Sequence, residues 1–242
     1  MREPALRGQS VVVVGGSAGI GLETARLART EGADVVLTAR DAERLRHAAA
    51  DVGAKSTAAF DAGDPAAVEG FFRDSGPIDH VLITGPGPHY RSLAEITFEE
   101  ARLAVSEHLL IAFWVARHAA PRIRPGRAVL FMGGTGARRP RRGLALVSAV
   151  TAAMPALTAG LALELAPVRV NLIAAGFVDT PLSASLLGDQ LDARRQELRE
   201  TLPIRRVVGP TDVAALAVHL MANTAVTGAT FDVDGGQQLV GA

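Results

Sequence analysis

Apolar positions along the chain fall into two alternating regimes. Short, continuous runs rich in β-branched residues occupy 11–14, 34–38, 56–60, 80–83, 127–132, 169–174 and 230–233. Runs of this length without polar alternation predict parallel strands covered on both faces. Between them, stretches rich in Ala, Leu and Arg predict helices at about 19–31, 41–51, 65–74, 97–119, 148–166 and 211–222. Strand–helix alternation over the whole length predicts an α/β fold, a doubly wound parallel sheet of seven strands flanked by helices. No Pro/Gly/Ser-rich linker and no repeat divides the chain, so 1–242 reads as a single domain.

The stretch 181–202 departs from this alternation. Leu182, Leu186, Leu187, Leu191 and Leu198 stand among charged residues at roughly helical spacing, between a strand end and the breaks at Pro203 and Pro210. It reads as an amphipathic insertion over the C-terminal edge of the sheet, where open parallel sheets bind their ligands. A lid and an ordinary surface helix pair are equally compatible with that pattern.

Composition narrows the chemistry. With 48% hydrophobic and 21% charged residues the chain carries enough apolar material for one well-packed core, which excludes disorder. Basic and acidic residues number 25 each, so no overall positive field gathers a nucleic acid. The absence of cysteine removes disulfides, thiolate metal sites and thiol nucleophiles; no metal site is expected, and the composition fits a cytoplasmic protein. The opening residues Met1 to Arg7 contain no apolar stretch of signal length, and no uninterrupted apolar run is long enough to span a bilayer, so a soluble protein with no membrane partner is expected. Lys55 is the only lysine and Tyr90 the only tyrosine. A mechanism that needs a Tyr and a Lys one helical turn apart is therefore excluded, and an arginine, always protonated near neutrality, does not replace the lysine.

The first strand runs directly into Gly15-Gly16-Ser17-Ala18-Gly19-Ile20-Gly21, which opens a helix. Glycines there let the backbone turn sharply and approach a pyrophosphate, and the free N–H groups of the helix N-terminus favour its charge. With this loop the chain resembles the short-chain dehydrogenase/reductase family over nearly its whole length. Val14 to Gly21 resembles the family's Thr-Gly-x-x-x-Gly-x-Gly loop, with Val14 in place of the threonine; Asp61 to Asp64 resembles its adenine-side turn; Val170-Asn171 through Gly176 to Asp179-Thr180 resembles its Val-Asn…Pro-Gly…Thr segment; and Asp232 to Gly236 resembles its last strand. The resemblance implies a Rossmann-type dinucleotide-binding domain with Gly15, Ser17, Gly19, Ile20, Gly21, Arg40, Asp61, Gly85, Gly176 and Thr180 at the cofactor. Thr38-Ala39-Arg40 ends the second strand without a carboxylate and adds a guanidinium suited to a 2′-phosphate, which favours NADP(H) over NAD(H), although Asp41 is adjacent and Ala18 stands where NADP-preferring members often carry a basic residue.

At the catalytic end the resemblance breaks. Family members reduce carbonyls with a Tyr proton donor, a Lys four residues on that lowers its pKa, a Ser that binds the substrate oxygen and an Asn that positions water. Aligned through Leu161 to Leu165, the Tyr position holds Val147 and the Lys position Thr151; the Ser position falls on Gly133 or Gly134, and the Asn position on His108 or Glu107. Pro155 is expected to kink the helix at Thr151. His89, Tyr90 and His108 are the candidate replacement acids, each also compatible with a packed or solvent-facing role.

Arg138, Arg139, Arg141 and Arg142 follow the fifth strand, where the resemblance places substrate. They suit an acidic group on a small-molecule substrate, a solvated loop or an oligomer contact. Helices 97–119 and 148–166 correspond to those that pair subunits in the family, and Leu109, Leu110, Phe113 and Trp114 enlarge the apolar surface of the first, so a homodimer or homotetramer is expected. Two functions stand: an NADP(H)-dependent oxidoreductase acting on a small carbonyl or alcohol with a rebuilt proton-donor site, or a non-catalytic nucleotide-binding protein with a regulatory or partner-stabilising role.

Overall fold

Seven parallel strands form one sheet in the order β3-β2-β1-β4-β5-β6-β7. They are β1 (Ser10–Val14), β2 (Asp34–Ala39), β3 (Ser56–Ala59), β4 (Ile78–Ile83), β5 (Ile123–Gly134), β6 (Arg169–Ala175) and β7 (Thr230–Val233). This is a computed structural model that describes residues 3–88, 90–139 and 141–240. Helices α1 (Gly19–Thr30), α2 (Ala42–Val52), α3 (Pro65–Asp74), α4 (Phe98–Val105), α5 (Ile111–Ala119), α6 (Ala145–Glu164), α7 (Pro181–Leu187), α8 (Leu191–Thr201) and α9 (Pro210–Ala222) connect them.

The unbroken apolar runs have a direct cause: each central strand feeds two cores. Val11 and Val13 point into a cluster with Ala25, Leu45, Val213 and Ala217 from α1, α2 and α9. Val12 and Val14 point into the opposite one, with Phe72, Val115, Met154 and Leu161 from α3, α5 and α6. The strand order reverses between β1 and β4, whose paired residues include Val14 and Ile83. Ligands of such sheets bind beyond the strand ends at that reversal.

Three elements differ from the sequence pattern. Strand β5 begins at Ile123, opposite Ile78, and its register shifts before His80 meets Ala128; Pro125 and Gly126 in this irregular stretch hide it from a hydrophobic count. The single helix expected over 97–119 is α4 and α5 joined by a wider π turn at Ser106–Leu110. Helix α6 starts three residues early and runs unbroken through Pro155, which is exposed; the missing proline N–H removes a partner from the Thr151 carbonyl without ending the helix. By length and composition α6 also reaches the range of a membrane-crossing helix, although Ser148, Thr151, Thr158 and Gly160 interrupt its apolar run. Here Val150, Met154 and Leu161 lie buried against the sheet.

Beneath the sheet, at the opposite edge from the strand ends discussed below, polar side chains close the bottom of the fold. Arg169 is buried and donates to the carbonyls of Gly126, Leu220, Met221 and Val226, closing the last turn of α9. His80, with no exposed surface, accepts from Ala128 N at Nδ1 (3.2 Å) and donates from Nε2 to Gln9 Oε1 (2.8 Å). Burial first, then the Arg127 and Arg169 charges, push its pKa down to about 3, against the opposing pull of Asp79. Between that value and its ordinary 6.5, the unfolded chain binds a proton that the folded chain refuses. The stabilisation is complete above 6.5 and fades as pH falls toward 3, at about 1.4 kcal/mol per pH unit, or about 2 kcal/mol by pH 5. Urea unfolding at pH 7 and pH 5 checks this: His80→Gln is expected to be less stable at pH 7 and to lose less between the two.

Candidate nucleotide and substrate site

The loop after β1 is fixed from both sides. Gly15 N and Gly16 N donate to Thr38 O at 2.9 and 3.0 Å, and Thr84 Oγ1 donates to Val14 O and Gly15 O at 2.9 and 3.1 Å. Gly15 has φ +87°, and a Cβ there would lie 2.2 Å from Thr84 Oγ1. A Cβ at Gly21 would lie 2.3 Å from Gly15 O, so only glycine lets the first turn of α1 seat against the loop. Ala18, the N-cap of α1, makes no side-chain cap, which leaves the N–H groups of that turn available to an anion. A Cβ at Gly19 would lie 3.5 Å from Thr180 Cβ and Cγ2. This uncapped N-terminus behind a glycine-rich loop fits the pyrophosphate of a dinucleotide.

Two further residues bear on the nucleotide. Arg40, at the end of β2, is exposed and makes no hydrogen bond or ion pair among the described residues. Its neighbour Asp41 is engaged as the N-cap of α2, accepting from Arg44 N at 2.9 Å. The adjacent carboxylate is therefore held toward the helix. Asp61 is exposed after β3, and its Oδ1 accepts from Gly63 N at 2.8 Å.

Beside the loop lies a cavity of about 590 Å³, walled by the ends of β4, β5 and β6, by α6 and by α7 with Arg194 of α8. Of the expected cofactor residues, Ile20, Gly85, Gly176 and Thr180 line it, whereas Gly15, Ser17, Gly19, Gly21, Arg40 and Asp61 lie outside its walls, on the loop and strand-end surfaces. The 181–202 insertion is two helices. Thr180 and Ser183 form a capping box that starts α7, and Leu182, Leu186 and Leu187 line the cavity. Arg195 of α8 holds Asp179 through two bonds of 2.9 and 2.8 Å, which push the guanidinium pKa up, while Leu198 and Leu202 are buried beneath. Sequence reading missed this Asp179–Arg195 tie, although Asp179 stood in a recognised segment.

The positions that the resemblance assigns to catalysis do converge. A Cβ at Gly134 would lie 3.4 Å from Thr151 Cγ2, and one at Gly136 would lie 3.7 Å from both Thr151 Oγ1 and Val147 Cγ1. The hydroxyls there bond backward into the main chain: Thr151 Oγ1 to Val147 O (2.8 Å) and Ser148 O (3.1 Å), Ser148 Oγ to Gly136 O (3.1 Å). His108 sits in the π turn, its Nδ1 donating to Ala104 O at 3.1 Å. It lines the cavity, and with Val147, Val150 and Ala104 it also borders a void of about 10 Å³. Tyr90 lines the cavity as well; its half-exposed ring is pushed up in pKa by partial burial, against the charge of Arg194. His89 lies outside the described residues.

The arginine run divides. Arg138 pairs with Asp232 at 2.6 Å and Arg142 is exposed away from the cavity, so only Arg139 and Arg141 line it. Leu110 at the end of the π turn and Phe113 on α5 are exposed as expected, but Leu109 and Trp114 pack against the core, Trp114 Nε1 donating to Pro65 O.

Comparison with known proteins accords with this geometry. The sequence model of a family described as enoyl-(acyl carrier protein) reductase matches residues 14–238. The chain is 30% identical over 252 residues to an NADP-dependent (R)-specific alcohol dehydrogenase of Lentilactobacillus kefiri, covering 96% of this chain and 97% of that one. It resembles the crystal structure of a short-chain dehydrogenase/reductase from Brucella melitensis, described as a glucose/ribitol dehydrogenase, at TM-score 0.88 and 27% identity, covering 97% and 98% of the two chains. A small-chain dehydrogenase solved in complex with NADPH matches at TM-score 0.82 and 28% identity, covering 96% and 99%.

Proposed function

The chain belongs to the short-chain dehydrogenase/reductase family of oxidoreductases, and from that premise we propose that it is an NADP(H)-dependent oxidoreductase whose proton donor has moved to His108. The observation that carries the reading is His108 on the wall of the cavity, beside Val147, where the usual tyrosine is lost. When bound, the nicotinamide supplies or takes a hydride at the carbon of a small carbonyl or alcohol. Gly15, Gly19 and Gly21 shape the pyrophosphate seat, and Ser17, Ile20, Asp61, Gly85, Gly176 and Thr180 complete the cofactor contacts. Arg40 takes the 2′-phosphate; its lack of a partner, the engagement of Asp41 and the NADP-linked relatives support that preference. His108 donates through Nε2 while Nδ1 stays on the Ala104 carbonyl, which fixes the ring. Exposed Leu110 at the end of the π turn, Phe113 on α5 and Leu163 on α6 support pairing of two copies through these helices.

A second reading, binding without catalysis, is favoured by Thr151, whose hydroxyl is turned into its own helix, and by the absence of any titrating group at Val147. The pH dependence of NADPH oxidation with a panel of carbonyls separates the two. A histidine acid gives a rate that falls as pH rises through the range where histidine loses its proton, and His108→Ala removes that limb and about 10²-fold of the rate. Tight NADPH binding with no turnover for any acceptor establishes the second reading instead.

A further inference from the structure

The cavity is an apolar chamber with an unusual charge. Leu144, Val147, Met154, Phe177, Leu182 and Leu186 supply hydrocarbon walls, and three arginines line it from two separate elements. Arg139 and Arg141 come from the segment after β5, and Arg194 comes from α8. Against them stands one carboxylate, Glu107, among the described lining residues.

Neighbouring arginines show that the three are not a random surface sample. Arg138 is held by Asp232, and Arg195 by Asp179 and Asp192, all outside the cavity. The Arg141 guanidinium makes no hydrogen bond or ion pair among the described residues; only the Arg141 carbonyl is engaged, accepting from Leu144 N. Arg139 gives one N–H to the Val240 carbonyl, a neutral partner that leaves its charge uncompensated. Arg194 lies 6.0 Å over the Phe177 ring and shares one N–H with Glu197, which is itself largely in solvent. The cofactor does not need these charges, because its phosphates are assigned to the α1 N-terminus, of which only Ile20 lines the chamber, and to Arg40, which lies outside it.

We infer that the Arg139–Arg141–Arg194 cluster binds the carboxylate of an amphiphilic substrate whose aromatic or aliphatic body fills the apolar chamber. The inference rests on the oxidoreductase reading for the substrate's carbonyl or alcohol, but the acid-binding subsite is a property of the cavity alone. Guanidinium groups suit a planar carboxylate because two parallel N–H donors meet its two oxygens, and hydrocarbon walls lower the dielectric around the pair.

Benzoylformate and its uncharged methyl ester test this. Both are titrated calorimetrically into the protein, with and without NADPH, at low and high salt. The acid is expected to bind at least about tenfold more tightly than the ester, with a preference that shrinks in salt. Arg141→Gln and Arg194→Gln are each expected to lower the acid's affinity about tenfold and leave that of the ester and of NADPH unchanged. Equal binding of acid and ester, no measurable binding of the acid, or variants that hold the acid as well as wild type overturn the inference. Failure to bind NADPH overturns the nucleotide reading while leaving the acid–ester comparison to decide this one.

Discussion

Gly21→Ala is expected to lower the affinity for both NADPH and NADH by about a hundredfold while leaving the fold intact. Helix propensity alone gives the opposite sign, since alanine in a helix is favoured over glycine by about 1 kcal/mol. Local contact decides instead: the added Cβ meets the Gly15 carbonyl oxygen at 2.3 Å and the Gly15 carbonyl carbon at 3.1 Å, both backbone atoms that no rotamer can move aside. Either α1 backs away from the loop or the loop unseats from Thr38 and Thr84, and in both cases the N–H groups that face the pyrophosphate lose their common focus. Charge-assisted hydrogen bonds are worth about 1.5–3 kcal/mol each, so misaiming one or two accounts for the loss. Arg40→Ala is the matched control, expected to cost NADPH about tenfold or more and NADH almost nothing, because only the former carries the 2′-phosphate. Calorimetric titration of both nucleotides against both variants reads these outcomes; unchanged affinity in Gly21→Ala removes the glycine loop from the nucleotide site.

The loop was legible in sequence because its demands are local. Glycines at 15, 19 and 21, spanning the end of an apolar run and the first turn of a helix, encode a tight turn and a close approach, and Gly15 and Gly21 meet those demands in close contacts that a side chain would block. The sheet was legible because β1 feeds two cores, which leaves no polar alternation to confuse the pattern. What escaped depended on partners distant in the chain. Arg138 and Arg139 are adjacent and alike in sequence, yet Asp232 draws one outward while the other lines the cavity. Arg194 carried no signal of its own within the charged insertion, and only the folding of α8 over the strand ends makes it a cavity residue. The π turn at His108 was equally hidden, since it changes the direction of one side chain without changing the apolar spacing that identifies the helix.

The largest expected gain in this protein comes from rebuilding what the catalytic wall lacks. The variant Gly134→Ser, Val147→Tyr, Thr151→Lys, made in the His108→Ala background, is expected to raise the rate of carbonyl reduction with NADPH by about 10²–10⁴-fold over that background, the range a positioned acid supplies. Geometry permits each change. A Cβ at Gly134 finds only an ordinary 3.4 Å contact with Thr151 Cγ2, an atom the lysine replaces, and Gly134 does not require a positive φ. Val147 borders the 590 Å³ cavity, which leaves room for a phenol. Positions 147 and 151 are one turn apart on the same face of α6, and the helix runs unbroken through Pro155, so the new lysine stays in register beneath the new tyrosine. Thr151 is 8% exposed; an ammonium held there faces little water, and its charge lowers the tyrosine pKa by favouring the phenolate. The rate should therefore gain a tyrosine-dependent limb that is absent from wild type, and Val147→Tyr alone should gain much less, since an unassisted phenol is a poor match to neutral pH. A triple variant that melts like wild type, binds NADPH as tightly and reduces no carbonyl faster shows that the wall has diverged beyond its side chains, with the substrate's reactive carbon held out of reach of position 147.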